Sequence, residues 1–158
     1  MKKYMLILLS YCGLKEINRH IKKKLNQNDE LFVRAVKLEG VPKLFDHLIS
    51  DVGFLGEKVV SDVEDSVVNI YEDNAKKYLD ELKELTQEIN FKLDKKLIDH
   101  HDLKNLKKEI KTLKLDRIFI NFSHNEFVSD QVEEENIRSW LQKLDLSQDV
   151  FYDGKIKK

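Results

Sequence analysis

Apolar residues near the start of the chain form a short continuous run and then a stripe with helical spacing. The run from Tyr4 to Leu9 is uninterrupted, as is typical of a strand buried on both faces of a sheet. From Leu14 to Leu25, apolar residues recur every three or four positions, which predicts an amphipathic helix. The β-rich stretch from Leu31 to Leu38 follows. These three segments predict a unit of two parallel strands joined by a helix.

The middle of the chain predicts a long connection and then a long helix. Residues 39–60 contain Pro42, the only proline in the sequence, and two glycines, so we expect a largely irregular segment. Ser61 and Glu64 have the spacing of a capping box. Apolar residues then continue at helical spacing to Ile89, which predicts the longest helix of the protein.

The last third of the chain continues the alternation of strands and helices. Residues from Phe91 to Ile98 alternate between apolar and polar, as expected of an edge strand. Asp102 is placed to cap the next helix. An apolar strand is predicted from Arg117 to Phe122, and Ser129 or Asp130 is predicted to begin the last helix.

Residues from Asp149 to Tyr152 are predicted to form a short closing strand, which makes the order of elements βαβαβαβαβ. Strands that alternate with helices form parallel sheets through right-handed crossovers, with helices on both faces. The sequence therefore predicts one α/β domain over residues 1–158, a doubly wound, mostly parallel, five-stranded sheet.

Composition excludes several classes of partner. Twenty-eight basic and twenty-nine acidic residues give a net charge of −1, so no overall field attracts nucleic acid or an anionic membrane. The single cysteine, Cys12, cannot form an internal disulfide, which fits a reducing compartment. The apolar run before Cys12 is too short for a signal peptide, and bulky Tyr11 precedes the cysteine. We therefore expect a cytoplasmic protein.

Topology indicates where a ligand would bind. In doubly wound sheets, ligands bind beyond the carboxyl ends of the strands where the winding direction reverses. The loops expected there are Ser10-Tyr11-Cys12-Gly13 and Phe122-Ser123-His124-Asn125. Neither loop contains a phosphate-binding glycine motif. The predicted helix after the second loop begins with several carboxylates, which would repel phosphate; these are Asp130, Glu133, Glu134 and Glu135.

Two other features suggest chemistry only weakly. The segment Asp99-His100-His101-Asp102 has side chains that suit a divalent metal, but adjacent residues are expected to splay apart. We interpret it as a solvated turn and predict no metal site, with adventitious metal binding as the alternative. Cys12 lies near Lys15, which favours a reactive thiol, but no base is implied beside it. We predict no catalytic residue.

The sequence resembles the universal stress proteins over nearly its whole length. The resemblance rests on the opening strand, the long helix after an irregular connection, and Leu115-Asp116-Arg117-Ile118-Phe119-Ile120 in place of the family's Asp-Leu-Ile-Val strand. It implies an adenine nucleotide alpha hydrolase-like fold with strand order 3-2-1-4-5. It also implies a homodimer formed through the last strand, from Asp149 to Tyr152.

Nucleotide-binding members of that family carry an aspartate after strand one and a Gly-x-x-Gly loop after strand four. Here the matching positions hold Ser10, Asn121 and His124, although Val36 matches a valine that contacts adenine. The candidate ligand-binding residues are Ser10, Tyr11, Cys12, Gly13, Val36, Asn121, Ser123, His124 and Asn125.

These departures resemble the branch of the family that does not bind nucleotide. We therefore expect a non-enzymatic, dimeric module in stress response or signalling, with no cofactor and an unknown protein partner. The first alternative is an ATP-binding protein that acts as a nucleotide-dependent switch. The second is an unrelated α/β enzyme or partner-binding domain.

Overall fold

The computed structural model describes residues 1–10, 12–37, 89–124, 129–130 and 132–157. The predicted connection at 39–60, and all but the end of the predicted helix from Ser61 to Ile89, lie outside these residues. The described strands and helices, in chain order, are β1 (Lys3–Leu8), α1 (Leu14–Lys22), β2 (Glu30–Lys37), β3 (Lys92–Asp99), a 3₁₀ turn (His100–Asp102), α2 (Leu103–Leu113), β4 (Arg117–Phe122), α3 (Glu134–Gln142), β5 (Ser147–Tyr152) and β6 (Lys155–Ile156).

The strands form one sheet in the order β3-β2-β1-β4-β5-β6. Strand β1 is central and pairs in parallel with β2 on one side and with β4 on the other. Strands β3 and β5 extend the sheet, also in parallel, and only β6 runs antiparallel to its neighbour. The winding direction therefore reverses between β1 and β4, as the sequence predicts.

Each face of the sheet carries its own apolar core, because residues along a buried strand point alternately to opposite faces. On one face, Ile17 and Ile21 of α1 pack against alternate residues of β1 such as Leu6. On the other face, α2 and α3 pack against Met5, Ile7 and their neighbours. The predicted fold class, with helices on both faces, is confirmed. None of the described helices is long and apolar enough to cross a membrane.

The sixth strand corrects the predicted strand count and order. The order 3-2-1-4-5 holds for the first five strands, but β6 adds an outer strand beside β5. Phe151 pairs with Ile156 and Tyr152 pairs with Lys155, so the chain folds back on itself after Tyr152. The predicted closing strand, from Asp149 to Tyr152, is therefore not the outermost strand of the sheet.

The predicted starts of the last two helices are each confirmed only in part. Asp102 is the N-cap residue of α2, as predicted, but its side chain makes no capping hydrogen bond. A 3₁₀ turn precedes α2, and there the carboxylate of Asp99 accepts the His101 amide at 3.0 Å. Ser129 and Asp130 are helical, as predicted, but α3 itself begins only at Glu134. The reason is that Glu133 has a left-handed backbone conformation, with φ of 51°, which interrupts a right-handed helix.

A buried arginine, which was not among the predicted core or site residues, attaches α2 to the sheet. Arg34 of β2 is 0% exposed, and its guanidinium donates to Glu109 of α2 and to Asp94 of β3. Burial tends to lower the pKa of Arg34, but its hydrogen bonds and ion pairs with Glu109 and Asp94 raise that pKa above its ordinary value. The guanidinium is therefore a fixed positive charge under α2.

Candidate functional site

The candidate site lies where β1 and β4 end side by side, and we call this place the switch-point crevice. Asn121, near the end of β4, is fully buried. Its side-chain amide donates to the backbone carbonyls of Ser10, at 3.0 Å, and Cys12, at 3.2 Å. Its backbone carbonyl accepts the amides of Leu9 and Ser10. Asn121 therefore fixes the loop that follows β1.

A residue outside the two predicted loops completes the crevice. Asp153 follows β5, and its Oδ1 accepts a hydrogen bond from Ser10 Oγ at 2.6 Å. Its Oδ2 accepts the His124 amide at 3.1 Å. One carboxylate thus joins the loop after β1 to the loop after β4, across the point where the winding reverses.

Asp153 and Gly154 form the two-residue turn between β5 and β6, and we call this pair the β5–β6 turn. Both residues have positive φ, 47° and 87° respectively, as in the hairpin turns that favour Asp-Gly. An Asp-Gly pair is a strong hairpin signal in a sequence. This pair was not among the predicted turns, although its signal indicates both β6 and a turn at the end of the sheet.

The β5–β6 turn lies directly against Gly13, which precedes α1. A Cβ atom built on Gly13 would lie 2.2 Å from the carbonyl oxygen of Asp153, and one on Gly154 would lie 2.4 Å from Gly13 Cα. Both distances are far below any real contact, so each position accommodates glycine only. Backbone atoms of the turn therefore occupy the space beside the start of α1.

Three backbone amides at the crevice donate hydrogen bonds within the protein. The Cys12 amide donates to Ser10 Oγ at 3.2 Å, and the His124 amide donates to Asp153. The Gly154 amide donates to Asn121 Oδ1 at 3.0 Å. Phosphate binding at a strand-to-helix loop depends on amides of this kind. At this crevice they already have partners, and Asp153 adds a negative charge beside them.

The other predicted site residues differ in how far they join this network. Cys12 is exposed. The ring of His124 stacks on Tyr152 with centroids 5.1 Å apart. Ser123 is mostly buried and accepts a hydrogen bond from Ser129 Oγ at its carbonyl. Val36 is 1% exposed and belongs to the core under α2 and α3, apart from the network around Asp153.

The structure therefore brings five predicted site residues together around the β5–β6 turn. These are Ser10, Cys12, Gly13, Asn121 and His124. Tyr11 and Asn125 lie outside the described residues.

Two carboxylates at the start of α3, Glu133 and Glu134, are engaged with neighbouring side chains. Glu134 accepts hydrogen bonds from the Arg138 guanidinium at 2.7 and 2.9 Å, and from the Tyr152 hydroxyl at 3.0 Å. Glu133 accepts one from the Asn136 side chain at 2.8 Å. Glu133 makes no side-chain cap, but both acids place negative charge at the start of α3, where the helix dipole favours it.

A second concave region lies between α2 and α3, on the face of the sheet opposite α1, and we call it the α2–α3 groove. Its volume is about 800 Å³. The ammonium of Lys107 lies 5.5 Å from the centroid of the Trp140 ring across the groove. The residues that line the groove are His100, His101, Leu103, Lys104, Lys107, Val132, Glu133, Asn136, Ile137, Ser139, Trp140 and Lys143.

Comparison with known proteins bears on the fold. No model of a protein family matches the sequence, and no curated protein matches it significantly. A solved structure of the hypothetical protein MJ0577 superimposes on this chain with a TM-score of 0.54 over 96% of both chains. MJ0577 is universal stress protein-like, and its structure was a test case of structural genomics. The fold of this chain is therefore similar to that of MJ0577. Because the two sequences are only 16% identical, this similarity concerns the fold alone.

Proposed function

We propose that this protein is a non-enzymatic member of the universal stress protein family, a dimeric module in stress response or signalling that does not bind nucleotide. The fold supports the family assignment, because the five parallel strands follow the order that the resemblance implies. The remaining parts of the proposal rest on the switch-point crevice and on the outer edge of the sheet.

One observation carries the proposal: the β5–β6 turn of the chain itself fills the crevice in which a doubly wound sheet binds its ligands. A phosphate placed there would have to displace backbone atoms that contact Gly13. It would also need the amides of Cys12, His124 and Gly154, which are already bonded. Opening the crevice would break the buried hydrogen bond from the Gly154 amide to Asn121, and a buried polar group left without a partner costs about 1–3 kcal/mol.

Negative charge around the crevice opposes nucleotide binding, as the contacts of the β5–β6 turn do. The carboxylate of Asp153 lies between the two loops, and Glu133 and Glu134 stand at the start of α3. Negative side chains at a helix start stabilise the helix and oppose a bound phosphate. A nucleotide would therefore meet both a filled space and a negative potential.

The proposed dimer is formed through the C-terminal edge of the sheet, as the family resemblance implies. Strand β6 forms that edge, and Ile156 is one of the large exposed hydrophobic residues, with 43% of its surface accessible. Sedimentation equilibrium tests this part of the proposal, and we expect a dimer that Ile156→Lys converts to a monomer. Lys155→Glu is the control, because it changes a neighbouring exposed residue without removing an apolar contact. A monomeric wild-type protein, or an equally dimeric Ile156→Lys variant, would contradict the proposed interface.

Titration with Mg-ATP tests the absence of nucleotide binding. The protein is first analysed by mass spectrometry for nucleotide that co-purifies, and Mg-ATP is then added in a calorimeter. We expect no bound nucleotide and no saturable heat. Circular dichroism of the same sample provides the control that the protein is folded.

The variant Asp153→Asn separates the two causes of exclusion, because it removes the charge but keeps the shape and a hydrogen-bond acceptor. We expect no binding by this variant either, since the turn still fills the crevice. Saturable micromolar binding by the wild-type protein would overturn the proposal and favour the nucleotide-dependent switch. Binding by Asp153→Asn alone would show that charge, not the filled space, excludes nucleotide.

A further inference from the structure

The segment Asp99-His100-His101 is folded differently from what its sequence suggests. Side chains of adjacent residues are expected to diverge, and on that ground we predicted a solvated turn without a metal. In the structure, one donor atom from each of the three side chains lies within 4.8 Å of the other two. The three side chains therefore converge on one point.

The 3₁₀ turn that follows β3 explains this convergence. Asp99 is the N-cap of the turn, and its Oδ1 accepts the His101 amide at 3.0 Å, which holds the carboxylate over the turn. The imidazole rings of His100 and His101 lie together, with centroids 3.9 Å apart and an interplanar angle of 40°. The backbone thus places two imidazoles and one carboxylate side by side before α2 begins.

A buried nitrogen in this cluster lacks a hydrogen bond. The side chain of His100 is only 12% exposed, and its Nδ1 lies 3.3 Å from Asp99 Oδ1. That distance is within ion-pair range, but Nδ1 has no hydrogen-bond partner among the described residues. A buried polar atom without a partner costs about 1–3 kcal/mol. A bound cation would accept the lone pair of a neutral imidazole and remove that cost.

We propose that Asp99, His100 and His101 bind one divalent transition-metal ion of the Zn²⁺ type. Imidazole nitrogens and a carboxylate oxygen are the donors that Zn²⁺, Co²⁺ and Ni²⁺ accept in proteins. Mg²⁺ and Ca²⁺ prefer sites made only of oxygen donors, so this donor set selects against them. Three protein ligands leave at least one coordination position of a tetrahedral ion for water.

The surroundings of the cluster determine what kind of metal site it is. His100 and His101 line the α2–α3 groove, and Lys104 and Lys107 line the same groove. The positive charge of these lysines opposes the cation, so the site binds more weakly than a closed site with four protein ligands. The water on the metal would face the groove and exchange with solvent. This inference is independent of whether the switch-point crevice binds nucleotide.

Titration of the full-length protein with Co²⁺ tests the proposal, because bound Co²⁺ has a visible absorption that reports its ligands. We expect one equivalent of Co²⁺ to bind, and Zn²⁺ to displace it. His101→Asn changes an exposed side chain and should preserve folding, and we expect it to weaken binding by at least about tenfold. His100→Asn should have the same effect, with folding verified by circular dichroism.

His124→Asn is the matched control, since His124 lies on a different loop and belongs to no metal-ligand cluster among the described residues. We expect this variant to bind Co²⁺ as the wild-type protein does. Absence of binding at millimolar Co²⁺ would overturn the proposal. Binding that survives in both His101→Asn and His100→Asn would also overturn it, because the metal would then be held by other residues.

Discussion

The switch-point crevice and the α2–α3 groove lie on the same domain but differ in how their polar groups are used. In the crevice, Ser10, Asn121 and Asp153 bond to one another and to three backbone amides. In the groove, about 800 Å³ is open, and its walls carry two histidines and three lysines. The crevice is filled by the chain, whereas the groove is accessible.

The difference shows that proteins can share a fold without binding a ligand at the site where that fold usually binds one. Strand order brings the loops after β1 and β4 together in any doubly wound sheet of this kind. Whether a ligand binds between them depends on a few residues, here the β5–β6 turn and Asn121. Space for a ligand is instead found between two helices, on one face of the sheet.

We expect the largest loss of stability from a substitution at the contact between the β5–β6 turn and Gly13. In Gly154→Ala, the new Cβ would lie 2.4 Å from Gly13 Cα, at a position with φ of 87°. Backbone strain and steric overlap together should lower the free energy of unfolding by about 3 kcal/mol. Urea denaturation followed by circular dichroism measures this change.

Asn28→Ala is the matched control for Gly154→Ala. Asn28 also has a positive φ, 71°, but its side chain is exposed, so alanine there adds strain without the overlap. We expect it to cost about 1 kcal/mol. If Gly154→Ala lowers the free energy of unfolding no more than Asn28→Ala does, the turn is not in tight contact with Gly13. The contrast between a filled crevice and an open groove would then be wrong.

We expect a smaller loss of stability from removing the ion pair between Arg34 and Glu109, which attaches α2, one wall of the groove, to the sheet. Among the described residues, Glu109→Leu would leave the buried Arg34 guanidinium with Asp94 as its one carboxylate partner, and the Asp94 side chain is 49% exposed. We expect the free energy of unfolding to fall by about 2–3 kcal/mol, since an uncompensated buried charge is costly. Thermal and urea denaturation of the variant provide the measurement.

The double variant Arg34→Met/Glu109→Leu sharpens this test. Replacing both charges with apolar groups should bring the stability back to within about 1 kcal/mol of the wild-type protein. Glu30→Gln is the control, because its ion pair with Lys92, at 3.7 Å, is with a side chain 73% exposed, and it should cost less than about 0.5 kcal/mol. Additive losses in the double variant would mean that Arg34 is held by contacts other than its charge.

The hydrophobic pattern predicts most of the described fold, because the buried face of each strand or helix requires apolar residues at a regular spacing. The run Arg117–Phe122 forms a strand with the predicted bounds, since its apolar residues are buried in a central position of the sheet. The interruption at Glu133, before α3, was not predicted, because its left-handed conformation has no signal in the apolar pattern. Residues 39–60 were predicted as a connection, and that prediction stays untested.

The candidate site was harder to predict, because its contacts join residues far apart in the sequence. Ser10 and Asp153 are separated by 143 positions, and nothing in either local sequence specifies the partner. The Asp-Gly pair at 153–154 does signal a hairpin, but not that the turn contacts Gly13. Likewise, the composition of Asp99-His100-His101 suggested a metal, whereas only the geometry of the 3₁₀ turn shows that the side chains converge.

The most direct test of the filled crevice is the nuclear magnetic resonance spectrum of ¹⁵N-labelled protein during addition of Mg-ATP. The resonances to follow are the Gly154 amide and the side-chain amide of Asn121, which bond inside the crevice. We predict that both keep their chemical shifts at a large excess of Mg-ATP. A saturable shift of both resonances, with disruption of the Gly154 hydrogen bond, would contradict the central claim that the protein's own turn excludes nucleotide.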